Sequence, residues 1–359
     1  MKKILFIISV LASLVACQQP EVGYLSENIH ALEDTVFVSR GVFMTSAAPS
    51  AEMSTYPLNW SISSILDKDG NPTEELFEKH EIQIWTQSFN ADTDTTLELA
   101  QAKLETSAEP TLKINTISGE MAFTQASKFV EGNIFMVNAN VSNVKDELQL
   151  DSFVVLKFLP FTPVEFPSEM RSRINLIKND GSKKALYTAT ILNDNDDGVP
   201  SVLDGTHPYF SVLKTNEEPQ LGIKVRMTIT DRHDSPIPPE NILFYPSGAG
   251  YLQNFHDNST ETTQDASSYT FSLPAPPFPQ FGRNYTGSSS YLMYYISTRT
   301  AFTVDKAAYE SDYGAQDWSD YKTNDNGDII CEAYIRWAIK IHDTGLWDIK
   351  MRIPYSVVL

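Results

Sequence analysis

Cysteine and histidine are scarce in this chain, and basic residues are outnumbered. The sequence holds 2 Cys and 6 His among 359 residues. The histidines, His30, His80, His207, His233, His256 and His342, fall at no spacing that would ligate zinc. No Gly-rich phosphate loop and no G-x-S-x-G elbow is present. With 27 Lys and Arg against 46 Asp and Glu, the formal charge is −19. That excludes a nucleic-acid partner, which requires a basic footprint. Beyond the N-terminus no apolar run is long enough to span a bilayer. Helical periodicity is sparse. Together these absences predict a protein that is not an enzyme. Paired carboxylates of a glycosidase meet in space rather than in sequence, so the 46 acids decide nothing by number.

The chain opens with MKKILFIISVLASLVACQQPE. Lys2 and Lys3 precede an apolar run from Ile4 to Ala16 that is too short for a membrane helix. Leu14, Ala16 and Cys17 resemble the lipobox of bacterial lipoproteins, in which the cysteine becomes the lipidated first residue. Residues 1–16 are therefore expected to be a signal peptide, with Cys17 as the outer-membrane lipid anchor. Removing two lysines with that leader brings the charge to 25 − 46 = −21. Cys331 would then remain alone. In the strand-like run DIICEAYIRWAIKI it is expected to be a small buried hydrophobe.

What is present is mostly strand. HEIQIWTQSF, NIFMVNANVS, SFVVLKFL, KALYTATIL, GIKVRMTITD and AYIRWAIKIHD alternate with a period of two and are rich in aromatic and β-branched residues. The predicted fold class is all-β, two antiparallel β-sandwich domains with little helix. Short helical turns are expected in Thr73–His80 and Thr95–Glu105. The prolines of LPFTPVEFPSE mark a boundary, giving an N-terminal domain over residues 17–165 and a C-terminal, ligand-binding domain over residues 166–359. The C-terminal segment reads as a hairpin turning at Asp343, Thr344 and Gly345. Trp60, Trp85, Trp337 and Trp347 lie in strand patterns and are expected in the cores.

In the first domain, INTISGEMAF is followed by VEGNIFMVNANVSN and a last apolar strand. That order resembles the closing strands of immunoglobulin-like or cadherin-like modules, with a glycine turn before a long alternating strand. Three pieces, EVGYLSENI, SGEMAF and PFPQF with YLMYYI, resemble an uncharacterised family of Bacteroidetes lipoproteins. Members of that family accompany outer-membrane uptake systems built from SusC-like and SusD-like proteins. The resemblance implies a cell-envelope protein that helps capture a glycan or another nutrient, with SusC- and SusD-like partners. It carries no catalytic residues. Gln18, Gln19, Pro20 and Glu21 hold one acid only, which leaves cell-surface and periplasmic placement both open.

Two segments hold candidate sites. In ILNDNDDGVPSVLDG, Asn193, Asn195, Asp197, Val199, Ser201 and Asp204 fall at positions one, three, five, seven, nine and twelve of a calcium loop, with Gly198 at six. Only two of these are carboxylates, so a bound calcium would be structural and weak, with a Kd on the order of 10⁻⁴ to 10⁻³ M. A solvated Asx-Gly turn gives the same pattern. KTNDNGDIICE has Lys322 at position one and reads as a turn. In YESDYGAQDWSDYKTNDNGD, Tyr313, Trp318 and Tyr321 stand in a polar, loop-like context. Exposed aromatic faces of this kind stack on sugar rings, and neighbouring polar groups grip hydroxyls. The alternative is that these aromatics cap the end of a sandwich. Phe255 and His256 in NFHDNST form a weaker second candidate.

Overall fold

The computed structural model describes residues 23–90, 92–165, 170–191, 203–215, 222–244, 255–274 and 292–359. Two compact units are present. One comprises residues 23–82 with Ser107–Phe161; the other comprises Gln83–Thr106 with Thr162–Leu359. The second thus takes in a segment from the middle of the first half of the chain.

The first unit is built on β1 (Thr35–Ser39), β2 (Met44–Thr45), β3 (Asn59–Asp67), β6 (Leu112–Ile114), β7 (Met121–Phe123), β8 (Ile134–Ser142) and β9 (Glu147–Leu159), while β4 (Lys79–Trp85) and β5 (Leu104–Pro110) run across its boundaries with the Gln83–Thr106 segment. A four-stranded sheet runs β1-β9-β8-β3 and a three-stranded sheet runs β2-β7-β6. Alternation does what the sequence predicts: Phe135, Val137, Ala139 and Val141 of β8 point inward while the residues between them do not. They pack with Trp60 and Leu156 against Leu112, Met121 and Phe123 of the other sheet. The pairing is antiparallel except for β1 on β9, which is parallel. β4 and β5 form a separate two-stranded ladder, and helix α1 (Leu97–Gln101), capped by Thr96, lies between them in the Gln83–Thr106 segment of the second unit. The expected turn in Thr73–His80 is a single 3₁₀ turn, Glu75–Phe77.

Gly119 sits in the β6–β7 turn, where its N–H bonds to the Asn115 carbonyl at 2.8 Å. Its φ of +74° is one that L side chains rarely adopt. A Cβ there would also lie 2.8 Å from Cδ2 of the buried Trp60. Glycine is required twice over, once by the backbone and once by the indole.

The second unit adds β10 (Val164–Glu165), β11 (Met170–Ile177), β12 (Lys183–Ile191), β13 (Phe210–Thr215), β14 (Ile223–Thr230), β15 (Ile242–Phe244), β16 (Glu261–Gln264), β17 (Ser268–Leu273), β18 (Leu292–Thr298), β19 (Phe302–Val304), β20 (Ile330–Ile341), β21 (Gly345–Arg352) and β22 (Ser356–Val358). It also has helices α2 (Phe255–Asn258) and α3 (Lys306–Tyr313). One sheet has the spine β12-β11-β20-β18-β15, with β10, β19 and β22 beside it; the other runs β13-β21-β14-β17-β16. Leu176, Phe302, Ile335 and Trp337 of the first sheet share a core with Phe210, Val225, Phe271 and Ile349 of the second. Phe89, from the segment contributed by the first half of the chain, packs against this core. Cys331 is buried within it, and burial pushes its thiol well above the usual range.

Three expectations change. Asp343, Thr344 and Gly345 do not turn a hairpin: β20 pairs in one sheet, and β21 pairs with β13 and, in parallel, with β14 in the other. β20 is buried on both faces over much of its length and β21 on one, so each needs a facing layer rather than each other. Trp85 is only half-buried, whereas Trp60, Trp337 and Trp347 lie in the cores. The segment Phe255–Asn258 is not a polar loop: Phe255 is fully buried on α2, while His256 faces outward.

Replacing Gly119 by Ala should cost the first unit more than the same change at Gly70, where φ is +84° but nothing lies within 4 Å of the new Cβ. Gly70→Ala carries only the left-handed strain, about 1–2 kcal/mol. Gly119→Ala adds displacement of Trp60, a further 1–3 kcal/mol or so. Urea denaturation followed by tryptophan fluorescence measures both; equal losses would show that the indole moves freely.

Candidate aromatic binding site

The segment that carries Tyr313 and Trp318 is not wholly a loop. Its first part is α3, and the signals for that helix are local. Asp305 is the N-cap, its carboxylate accepting from the Ala308 N–H at 2.9 Å. Gly314 ends the helix at φ +85°, its N–H bonding to the Glu310 carbonyl at 2.8 Å. Asp305 is itself fixed from two sides: its N–H bonds to the Tyr355 carbonyl at 2.9 Å, and its carboxylate pairs with Arg232.

Four residues apart on this helix, Tyr309 and Tyr313 stack with ring centroids 4.9 Å apart and planes 29° from parallel. Tyr355 meets both edge-on, at 5.5 and 5.9 Å. Tyr187, from β12, meets Tyr355 at 5.2 Å and Tyr313 at 6.2 Å. Trp318 closes the other side of Tyr309 at 5.9 Å. These are the separations of rings in direct contact, so the group is a wall rather than a cage. Tyr313 is 56% exposed and forms its open face. Tyr355 holds a left-handed φ of 56°, uncommon for an aromatic residue, between buried Pro354 and Ser356.

Polar groups are tied into the wall. The Trp318 indole N–H donates to Glu310 Oε1 at 2.6 Å, and the Tyr355 hydroxyl donates to Asp312 Oδ2 at 2.8 Å. Burial, together with the neighbouring Tyr209 hydroxyl, pushes the Tyr187 phenol up to about 12. Burial and the Asp312 carboxylate raise the Tyr355 phenol as well. The site therefore offers aromatic faces, phenols that stay protonated, and two carboxylates, which is the chemistry of binding a hydroxylated ring.

Of the residues expected here, the structure joins Tyr313 and Trp318 through Tyr309 and removes Tyr321. Tyr321 is 6% exposed and packs in the core of the second unit, so it stands behind Trp318, 6.3 Å between ring centroids, rather than on the open face; Trp318 is itself half-buried against that core. Tyr187 and Tyr355 were not expected: they come from strand-rich segments more than a hundred residues before α3 and some forty after it. Their alternating neighbours hide them among core positions.

Cys17 and the loop residues Asn193, Asn195, Asp197, Val199 and Ser201 lie outside the described residues. Asp204 is described: its Oδ1 accepts from the Thr206 N–H at 2.9 Å, and the Thr206 hydrogen bonds hold its carboxyl below the usual range. Among the described residues no group of three metal-ligating side chains is found. KTNDNGD is a turn, with Asn324 Oδ1 accepting from Asn326 and Asp328 and Gly327 at φ +83°. No helix among the described residues is long and apolar enough to cross a membrane.

No family profile and no curated protein matches the sequence. Solved structures give weak likenesses. A SusE-like surface located polysaccharide binding protein from the Bacteroides thetaiotaomicron heparin utilisation locus aligns with a TM-score of 0.24 and 7% identity, over 91% of this chain and 54% of that one. Human CDH23 EC21-23 aligns with a TM-score of 0.22 and 9% identity, over 90% and 69%. The N-terminal four Ig domains of Dscam1 isoform 9.44 align with a TM-score of 0.19 and 9% identity, over 92% and 73%. The chain spans about half the length of the SusE-like protein. At such scores no residue role transfers between them.

The raised Tyr187 phenol makes a pH prediction. The folded state keeps a proton that the unfolded chain loses near pH 10, so stability contributed by this group is full below pH 10 and falls as pH rises toward about 12. Tyr187→Phe should flatten that decline and remove one late-titrating phenol from the ultraviolet titration. Loss instead of a phenol that titrates near pH 10 would place Tyr187 in water.

Proposed function

We propose that the protein is a lipid-anchored component of the cell envelope that binds a glycan or small nutrient as an accessory to a SusC/SusD-type uptake system. The observation that carries the binding role is the tyrosine wall with Tyr313 open to solvent. Anchoring is supported by Leu14, Ala16 and Cys17, and the uptake context by the resemblance of EVGYLSENI and SGEMAF. In this reading Tyr313 and Trp318 contact the ligand, with Tyr309, Tyr187 and Tyr355 behind them.

Calorimetry of the purified protein against a polysaccharide panel is the direct test. A hit should weaken about two- to tenfold with Tyr313→Ala, the worth of one aromatic contact. Binding that survives Tyr313→Ala and Trp318→Ala unchanged would move the site elsewhere.

A second reading, a structural or adhesive envelope protein with protein partners only, has its own observation. In the first unit Phe37, Phe43, Phe129 and Phe161 are each at least 42% exposed, and Lys157 and Lys128 sit over the rings of Phe37 and Phe129. Exposed apolar groups mark interaction surfaces where they form a contiguous patch. A panel without a single glycan hit would favour this reading.

The loop from Asn193 to Asp204 is proposed as a structural calcium site with Asn193, Asn195, Asp197, the Val199 carbonyl, Ser201 and Asp204 as ligands. Calcium at ten times its Kd should then stabilise the fold by about 1.4 kcal/mol. Thermal denaturation with millimolar calcium against chelator shows it; an unmoved midpoint leaves a plain turn.

A further inference from the structure

We infer that the ligand of the tyrosine wall is a sugar chain free of anionic substituents, neutral or amine-bearing, and that sulfate and carboxylate groups exclude a chain from it. This rests on the glycan-binding reading above and adds the charge class of the ligand.

The wall has its own electrostatic sign. Glu310 and Asp312 lie on the same short helix as Tyr309 and Tyr313. Each is held by a donor from the wall itself, Trp318 Nε1 at 2.6 Å and the Tyr355 hydroxyl at 2.8 Å. These bonds fix two negative charges at the rim of the rings that a sugar would cover. The ring faces present the negative end of their quadrupole as well.

The basic side chains near the N-terminal end of this helix have partners other than the wall's carboxylates. Arg232 pairs with Asp305. Lys350 and Arg352 share Asp234, at 2.5 and 2.6 Å. Lys306 reaches the Gly327 carbonyl at 3.4 Å. His233 lies 4.0 Å from the same Asp305 carboxylate that Arg232 occupies. None of these cations is paired with Glu310 or Asp312 in the described residues, and the donors those two carboxylates do have, the Trp318 indole and the Tyr355 hydroxyl, are neutral, so the two rim charges meet no cation in an ion pair. The chain as a whole, at −19, adds to them at long range.

An anionic ring would carry its charge toward two carboxylates while losing water. A neutral ring meets no such opposition. An ammonium gains from both the ring faces and the carboxylates.

The test is calorimetry of the full chain in detergent with one oligosaccharide backbone in three forms: unsubstituted, bearing free amines, and sulfated or carboxylated. The unsubstituted and amine-bearing forms should bind, and the anionic form should be weaker by about tenfold or more at low salt. Raising salt to roughly 0.5 M should narrow that gap. Asp312→Asn, which keeps an acceptor for Tyr355, should narrow it too, and Glu310→Gln gives an independent second variant that keeps an acceptor for Trp318. An anionic form that binds as tightly as the neutral one overturns the charge inference and leaves the glycan-binding role standing. Silence across all three forms and across the wider panel overturns both.

Discussion

Trp337, from the longest described strand of the second unit, touches Phe210 of the opposite sheet and Phe255 of helix α2, each at 5.6 Å between ring centroids. Phe255 continues to Phe271 at the same distance. This chain of rings, drawn from both sheets and the short helix, is the contact on which the second unit depends. Aromatic side chains bury more area than any others, so removing one would leave a void that close-packed neighbours cannot fill. The strand pairings on either side can hold their registers because the inward faces have this layer to rest on. The outward positions are then free to carry other work, and α3 with its tyrosines is placed against that outer frame through Asp305, Arg232 and Tyr355.

Much of this architecture was legible in the sequence because burial on one side of a strand forces a period of two. β8, β14 and β20 stand where their alternating runs stood, and Gly119 stands in the turn before the long strand. Partner choice was not legible. The Asp343-Thr344-Gly345 turn has the composition of a hairpin, yet the chain uses it to pass from one sheet to the other. Alternation says which face of a strand is buried and is silent on which strand lies beside it. The parallel ladders of β1 on β9 and β14 on β21 were hidden for the same reason.

The binding wall was half legible. Polar surroundings drew attention to Tyr313 and Trp318, but the same signal included Tyr321, whose Asp and Asn neighbours face solvent while its own ring turns into the core. The helix that organises the wall has only eight residues, too few for a periodic apolar stripe. Its visible marks were an Asp at one end and a Gly at the other. Tyr187 and Tyr355 reach the wall through tertiary structure alone. A site assembled in this way holds its shape through ring packing and two carboxylate hydrogen bonds rather than through a local motif.

The placement of Gln83–Thr106 with the second unit has a consequence for how the molecule can be taken apart. The chain passes between the units three times rather than once, so neither is a continuous stretch of polypeptide. A single proteolytic cut after Phe161 would not release two intact halves, and a recombinant fragment beginning at Thr162 would lack Phe89 and leave its place on the core unfilled. The same holds for the gene. Neither unit corresponds to one uninterrupted piece of coding sequence.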